Sequence, residues 1–422
     1  MKLSDAGVIL LDCDHKTPEA VEVGRPYIGI PQMTSGRIDF SSARQISEDD
    51  FVTWNRKTKY QRNDVVLSRR TNPGVTAIDD TGTEFALGQN LVLLRANGKR
   101  VDPPFLRWLV RTPEWWEQIE KFMNVGAVFS SLRCRDVPSF ELTIPPLPEQ
   151  RAIAATLGAL DDKIELNRKM NATLEAMARA LFRDWFVDFG PTRTKMEARA
   201  PYLAPDLWSL FPDRLSDEDK PTGWEVSTIG DEVRVVGGST PSTKEPDLWD
   251  GGINWATPKD LSNLVAPVLL ETARTISAAG LAKISSGQLP VGSLLLSSRA
   301  PIGYLAIAEV PVSINQGFIG MICDRMISNV FAWLWTLENM EAILAKANGS
   351  TFQEISKGNF RSLPVVVPSA PVMHAFDAIA QPLYERIAKN ERESRTLAQT
   401  RDLLLPQLMS GQILVQPDAK AG

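Results

Sequence analysis

Three arginines stand just past apolar runs that end in turns. Arg69 and Arg70 follow Asp64-Val65-Val66-Leu67-Ser68 and precede Asn72-Pro73-Gly74. Arg299 follows Ser293-Leu294-Leu295-Leu296-Ser297-Ser298 and precedes Ala300-Pro301-Ile302-Gly303. A guanidinium presented beyond a rigid strand can grip a phosphate, or take O6 and N7 of guanine bidentately. The competing reading is an Arg satisfied by carbonyls at a strand end. Lys57 and Lys59 sit in a dense basic run with Arg56, Arg62, Trp54 and Tyr60, and residues 51–111 carry 11 Lys and Arg against 5 Asp and Glu. Such a patch can neutralise phosphates, or it is a solvated basic face. Around Lys259 the second half offers less, with Arg274, Lys283 and Arg299 against Asp260 and Glu271.

Other chemistries find no footing. The chain has two histidines, His15 and His374, which argues against a His-based metal site or a Ser-His-Asp triad. Asp12-Cys13-Asp14-His15-Lys16 is dense in polar groups, yet no second cluster completes a site, so it reads as a structural or nucleic-acid-facing loop. Gly98-Lys99-Arg100 lacks the upstream Gly of a phosphate loop. No Gly-rich strand-to-helix turn suits a dinucleotide or adenosyl cofactor, and Asp102-Pro103-Pro104-Phe105, which has the letters of the Asn/Asp-Pro-Pro-Tyr/Phe tetrapeptide of amino-methyltransferases, stands without one. The residues describe a reader without catalysis, metal or cofactor of its own.

The bulk properties set the frame. A length of 422 residues suits roughly three domains. Apolar content of 43% and charged content of 23% are ordinary for a globular protein. Cys13, Cys134 and Cys323 are widely spaced, which suggests a reducing cytoplasm and small buried thiols. The first 16 residues offer only Val8-Ile9-Leu10-Leu11 as an apolar run, too little for a secretory signal, and no stretch approaches a bilayer span. The net charge of -5 does not advertise nucleic-acid binding.

The elements that must position these residues occur twice. Gly126, Phe129, Pro145, Pro148, Ala152 and Ala155 reappear 223 residues later as Gly349, Phe352, Pro368, Pro371, Ala375 and Ala378. The same offset carries Leu160, Ile164, Asn167, Leu174 and Leu181 onto Leu383, Ile387, Asn390, Leu397 and Leu404. So long a period is not a solenoid; it is one unit, a globular segment and a long helix, present twice.

Residues 1–144 read as a first mixed α/β segment, with a helix over 103–122. Residues 145–190 hold a long helix, from Glu149 to about Val187 and ~58 Å long at 1.5 Å per residue, closed by Asp188-Phe189-Gly190-Pro191 as a Gly cap and Pro breaker. Residues 191–221 are a polar connection, and 222–367 a second α/β segment whose Trp249, Trp255, Trp333 and Trp335 are core. The second helix lies in 368–411, ahead of a tail at 412–422. Steps of three and four place Leu160, Ile164 and Asn167, and likewise Leu383, Ile387 and Asn390, on coiled-coil seams. Two such seams pack most simply antiparallel. That predicts contact near Ile164 and Ile387, with the globular segments at opposite ends about an approximate two-fold.

The stretch Leu147-Pro148-Glu149-Gln150-Arg151-Ala152-Ile153 resembles the entry to the central conserved region of the specificity (S) subunit of type I restriction–modification systems. So do Leu160-Asp161-Asp162-Lys163-Ile164-Glu165-Leu166-Asn167-Arg168 and Leu181-Phe182-Arg183-Asp184-Trp185-Phe186-Val187-Asp188-Phe189. Leu403 to Gly411 is similar to the end of the distal conserved region. Gly223-Trp224-Glu225, Gly238-Ser239-Thr240-Pro241-Ser242 and Trp249-Asp250-Gly251-Gly252-Ile253 resemble the opening of a target-recognition domain. The first segment lacks the Gly-Trp opening, so its recognition class differs.

The resemblance covers nearly the whole chain. It implies two target-recognition domains, each reading one part of an interrupted double-stranded DNA site, and helices that set spacing and dock two modification (methyltransferase) subunits. Those partners would bind S-adenosylmethionine and methylate adenine, while restriction subunits would supply ATP- and Mg2+-dependent translocation and cleavage. Partner subunits would complete the basic clamp that the acidic total lacks. Two rival readings stand beside it: a coiled-coil scaffold with protein-binding ends, and a free-standing nuclease or methyltransferase.

Overall fold

The computed structural model describes residues 1–14, 16–125, 130–349 and 353–415. His15, the repeated Gly126, Phe129 and Phe352, and most of the 412–422 tail fall outside the described residues. Two compact units emerge, one of Met1–Asp162 with Leu397–Gly422, the other Lys163–Thr396. The boundary divides both long helices, Leu147–Phe186 and Ala370–Met409, each of 40 residues.

In the first unit a four-stranded antiparallel sheet runs in the order Val8–Asp12, Leu91–Ala96, Val65–Ser68, Thr76–Ala77. Val65–Ser68 is buried along its whole length, because β-branched and apolar side chains are covered on both faces of the strand. A smaller sheet orders Arg44–Ile46, Arg25–Ile28 and Ala86–Leu87, the first pair antiparallel and the second parallel. The helix expected over 103–122 is two helices, Pro103–Leu109 and Pro113–Phe122. Pro113 cannot donate to the preceding turn, and Thr112 Oγ1 caps the new helix by accepting from the Trp115 amide at 3.3 Å. Phe105, Trp108, Trp115 and Phe140 form the core with Ile153 and Leu157 of the central helix and Leu405 and Leu408 of the distal one. Buried Gln150 fastens the helix entry: its amide nitrogen donates to Arg100 O and Pro145 O, and its oxygen accepts from the Asp102 amide.

The second unit repeats the plan. Arg234–Gly237, Phe318–Ile322, Leu294–Ser298 and Ile302–Ala308 follow the same strand order, with Val268–Leu269 added in parallel at the edge. Its small sheet orders Arg274–Ile276, Trp249–Ala256 and Ser313–Ile314, again antiparallel then parallel. All four expected core tryptophans are buried. Phe182, Trp185 and Phe186 of the central helix meet Phe376 of the distal helix in an aromatic cluster, Phe186 and Phe376 lying 4.9 Å apart.

The central helix ends before Asp188-Phe189-Gly190-Pro191 for a reason other than a glycine cap. The left-handed residue is Phe189, with φ 51°, its ring packed 5.8 Å from Trp224. Gly190 is required by close approach, since a Cβ there would lie 2.0 Å from Asp184 Oδ1. The connection expected over 191–221 is partly helical, with short helices at Gly190–Met196 and Pro205–Leu210.

Within the second unit the two helices run antiparallel: Asn167 faces Asn390 to Ser394, while Phe182 faces Phe376. Asn167 Nδ2 donates to Asn390 O at 3.4 Å, to Glu393 Oε2 at 2.9 Å and to Ser394 Oγ at 3.2 Å. Asn390 Nδ2 donates to Asn171 Oδ1 at 2.8 Å. Ser394 is Asn171 displaced by 223, so the pairs Asn167–Ser394 and Asn390–Asn171 are mates under a local two-fold. Residues one offset apart touch each other only at such an axis. By those pairs it falls between Asn167 and Asn171 and between Asn390 and Ser394, about one turn beyond the expected Ile164 and Ile387. Ile387 is fully buried with Phe376, whereas Ile164 is half-buried. Leu160 and Leu383 pack half-buried against the first and second cores respectively. Asn390→Ala leaves the Asn171 carbonyl unpaired, so it lowers stability by about 1–3 kcal/mol, measurable by urea unfolding of the full chain; no change would mean the polar centre is solvated.

Candidate nucleic-acid interface

The basic residues of the first unit divide by partner. Lys57 Nζ donates to Cys13 O at 3.3 Å and lies 3.8 Å from Asp12; Lys59 pairs with Glu84. Arg69 leaves its strand with Nη2 on Gln89 O at 3.4 Å and Nη1 near Cys134 Sγ. That is the strand-end carbonyl arrangement. Arg70 is exposed and has no side-chain partner among the described residues, and the same holds for Arg56 and Arg62. Lys59 and Arg62 line an open cavity of about 430 Å³ together with Asp79, Asp80 and Glu84, so its charges nearly cancel.

The Asp12-Cys13 loop is built in rather than poised for reaction. Asp12 O accepts from Thr58 Oγ1 at 2.6 Å, and Lys16 O from Tyr27 and Trp54. Cys13 Sγ donates to Leu91 O at 3.0 Å and to Gly88 O. Burial, with the Asp12 charge, pushes its thiol up to about 11, which suppresses the nucleophilic thiolate at neutral pH. Burial likewise pushes Cys323 up to about 12. Among the described residues no group of three or more His, Cys, Asp or Glu could hold a metal ion.

In the second unit Arg299 bridges Glu354 in backbone pairing, and its guanidinium lies 3.6 Å from that carboxylate. Lys259 is exposed on the short helix Pro258–Leu261, with no side-chain partner among the described residues. Asp260 beside it accepts from the Ala273 amide at 2.7 Å, which brings Lys259 toward Arg274. The structure thus ties the short helix of Lys259 to the start of the small-sheet strand Arg274–Ile276, and leaves Arg299 just past the end of the large-sheet strand Leu294–Ser298.

Sequence reasoning missed the buried charges. Asp161 of the central helix pairs with Arg107, with Arg401 at 2.6 Å, and lies 4.0 Å from Arg111. Burial and the neighbouring guanidiniums of Arg111 and Arg37 pull Arg107 down to about 9; burial, Arg401 and Arg37 pull Arg111 down to about 10. Both remain charged at pH 7. Tyr384 stands one repeat beyond Asp161 and does the matching work in the second unit, donating to Glu309 at 2.7 Å, where Arg392 also pairs. Each helix thus grips its own domain through the same position. The one signal available was that a seam-flanking Asp and Tyr share an offset.

The profile of the family described as type I restriction modification DNA specificity domain matches residues 12–176 and again 221–393. The chain belongs to this family. It is a DNA specificity subunit of the type I restriction–modification class, and its two α/β units are target-recognition domains. Similar relatives are the type I restriction enzyme HindI specificity subunit of Haemophilus influenzae, 25% identical over 85% of this chain and 88% of that protein, and the MjaIX specificity subunit of Methanocaldococcus jannaschii, 26% identical over 74% and 69%. The crystal structure of the type I S subunit from M. genitalium shares the fold, with a TM-score of 0.56, 16% identity and coverage of 97% and 95%. Among the described residues no helix of this specificity subunit is long and apolar enough to cross a membrane.

Proposed function

We propose that each recognition domain of this cytoplasmic specificity subunit reads one half of a bipartite double-stranded DNA site, while the antiparallel helices fix the spacing and dock two modification subunits. The observation that carries this reading is the duplicated strand order together with the local two-fold beside Asn167 and Asn390. Two like readers on one frame match a target made of two parts. The chain itself is non-catalytic. S-adenosylmethionine belongs to the modification subunits, and ATP and Mg2+ to the restriction subunits that join them. Arg70 and Lys259, exposed and unpaired, meet phosphates first; Arg69, Lys57 and Lys59 shape the same face, and Arg299 reaches DNA by leaving Glu354.

Exchange of residues 222–367 for the second domain of another specificity subunit tests independence of the readers. Methylated adenines mapped in host DNA are expected to shift in one half of the site only. A change in both halves would overturn the reading.

A further inference from the structure

The guanidinium of Arg274 lies over Trp249, its Cζ 3.6 Å from the ring centroid, and 5.7 Å from that of Trp255. The two indoles stand edge to face at 5.0 Å and are themselves fixed, Trp249 Nε1 donating to Ser242 O and Trp255 Nε1 to Ser239 O. The backbone beneath Arg274 is equally constrained. It pairs with Trp255 across the small sheet, and the preceding Ala273 amide is held by Asp260. Arg25, Arg107 and Arg111 also lie over aromatic rings, but each has a carboxylate within 4.0 Å. Arg274 has neither a carboxylate nor a carbonyl on its guanidinium among the described residues, and it is exposed.

Contact with two fixed indoles limits the orientations open to the fork, while its N–H donors stay unengaged among the described residues. Phosphate grip needs charge but not a fixed plane, as lysine shows. A fixed fork matches a planar pair of acceptors, and in duplex DNA that pair is O6 and N7 of guanine in the major groove. The register-equivalent residue of the first domain is Arg44, which pairs with Tyr27 as Arg274 pairs with Trp255. Arg44 gives its Nη1 to Pro18 O at 3.0 Å, so that fork is partly engaged. We infer that Arg274, held by Trp249 and Trp255, is a specificity-determining residue that reads a guanine in the half-site of the second domain. The inference rests on the reading that this domain meets duplex DNA.

The test uses the full chain with the subunits that co-purify from its native host, incubated with random-sequence duplex DNA, and sequencing of the bound fraction. The unsubstituted complex is expected to select a two-part motif. Arg274→Ala then lowers the preference for guanine at one position of one half by roughly 5- to 150-fold, and leaves the other half intact. Arg274→Lys gives the same loss, because the charge stays while the fork goes; it also keeps the test valid if the alanine variant fails to fold. A full motif in the lysine variant would assign Arg274 to phosphate and overturn the inference. An unchanged motif in the alanine variant would make the residue structural and overturn it too. Absence of any motif with the unsubstituted complex would instead defeat the DNA reading on which the inference stands.

Discussion

Asp161→Ala is expected to lower the stability of the first unit by about 3–5 kcal/mol. Its carboxylate is buried and shared by Arg107 and Arg401. Removing it takes the shared carboxylate from between two largely buried cations, with Arg111 adjacent, and leaves Arg401 only the exposed Asp402. The three elements it joins, the helix Pro103–Leu109 and the two long helices, lose their common polar tie. Asp161→Asn keeps the volume but not the charge and recovers little. Hydrogen exchange in Pro103–Leu109 is the direct measurement. Protection equal to that of the unsubstituted chain would show that the cluster is solvated.

Trp185→Ala is the matching experiment on the second unit, with an expected loss of about 3–5 kcal/mol. The indole is fully buried against Phe211, Phe186 and Phe376, and too much of the cluster surrounds it to collapse into the cavity. Trp185→Phe is expected to cost less than the alanine substitution, because the smaller cavity removes fewer contacts. The buried indole N–H has no hydrogen-bond partner among the described residues, so phenylalanine removes an unpaired donor along with some packing. Urea unfolding of both variants decides the point; a phenylalanine variant as unstable as alanine would show that the N–H is bonded.

Periodicity and repetition made the long helices legible. The apolar steps place the first over about 149–187, against an observed Leu147–Phe186. What the sequence could not disclose was pairing between distant residues. An offset relates equivalent positions, and equivalents touch only on an axis, so nothing in the Ile164 and Ile387 pattern revealed that the axis lies between Asn167 and Asn171. Asp161 and Arg401 are 240 residues apart, beyond any local signal. The break at Pro113 was readable, because proline opens a helix more readily than it continues one; the apolar stripe concealed it. Arg274 looked like one charge in a count. Its place became evident only when strand pairing set it over tryptophans that are core and platform at once.

The burial of the central strands has a consequence for how such a protein changes its target over generations. Val65–Ser68 and Leu294–Ser298 are sealed along their length, whereas Arg70, Lys259 and Arg274 stand in solvent. Exchange of exposed residues alters stability by about 0.5 kcal/mol or less, a small part of the margin that keeps a domain folded. Mutation can therefore drift through the reading surface while the scaffold stays untouched. Selection for a new sequence to recognise and selection for a folded chain act on separate residues, so neither restrains the other.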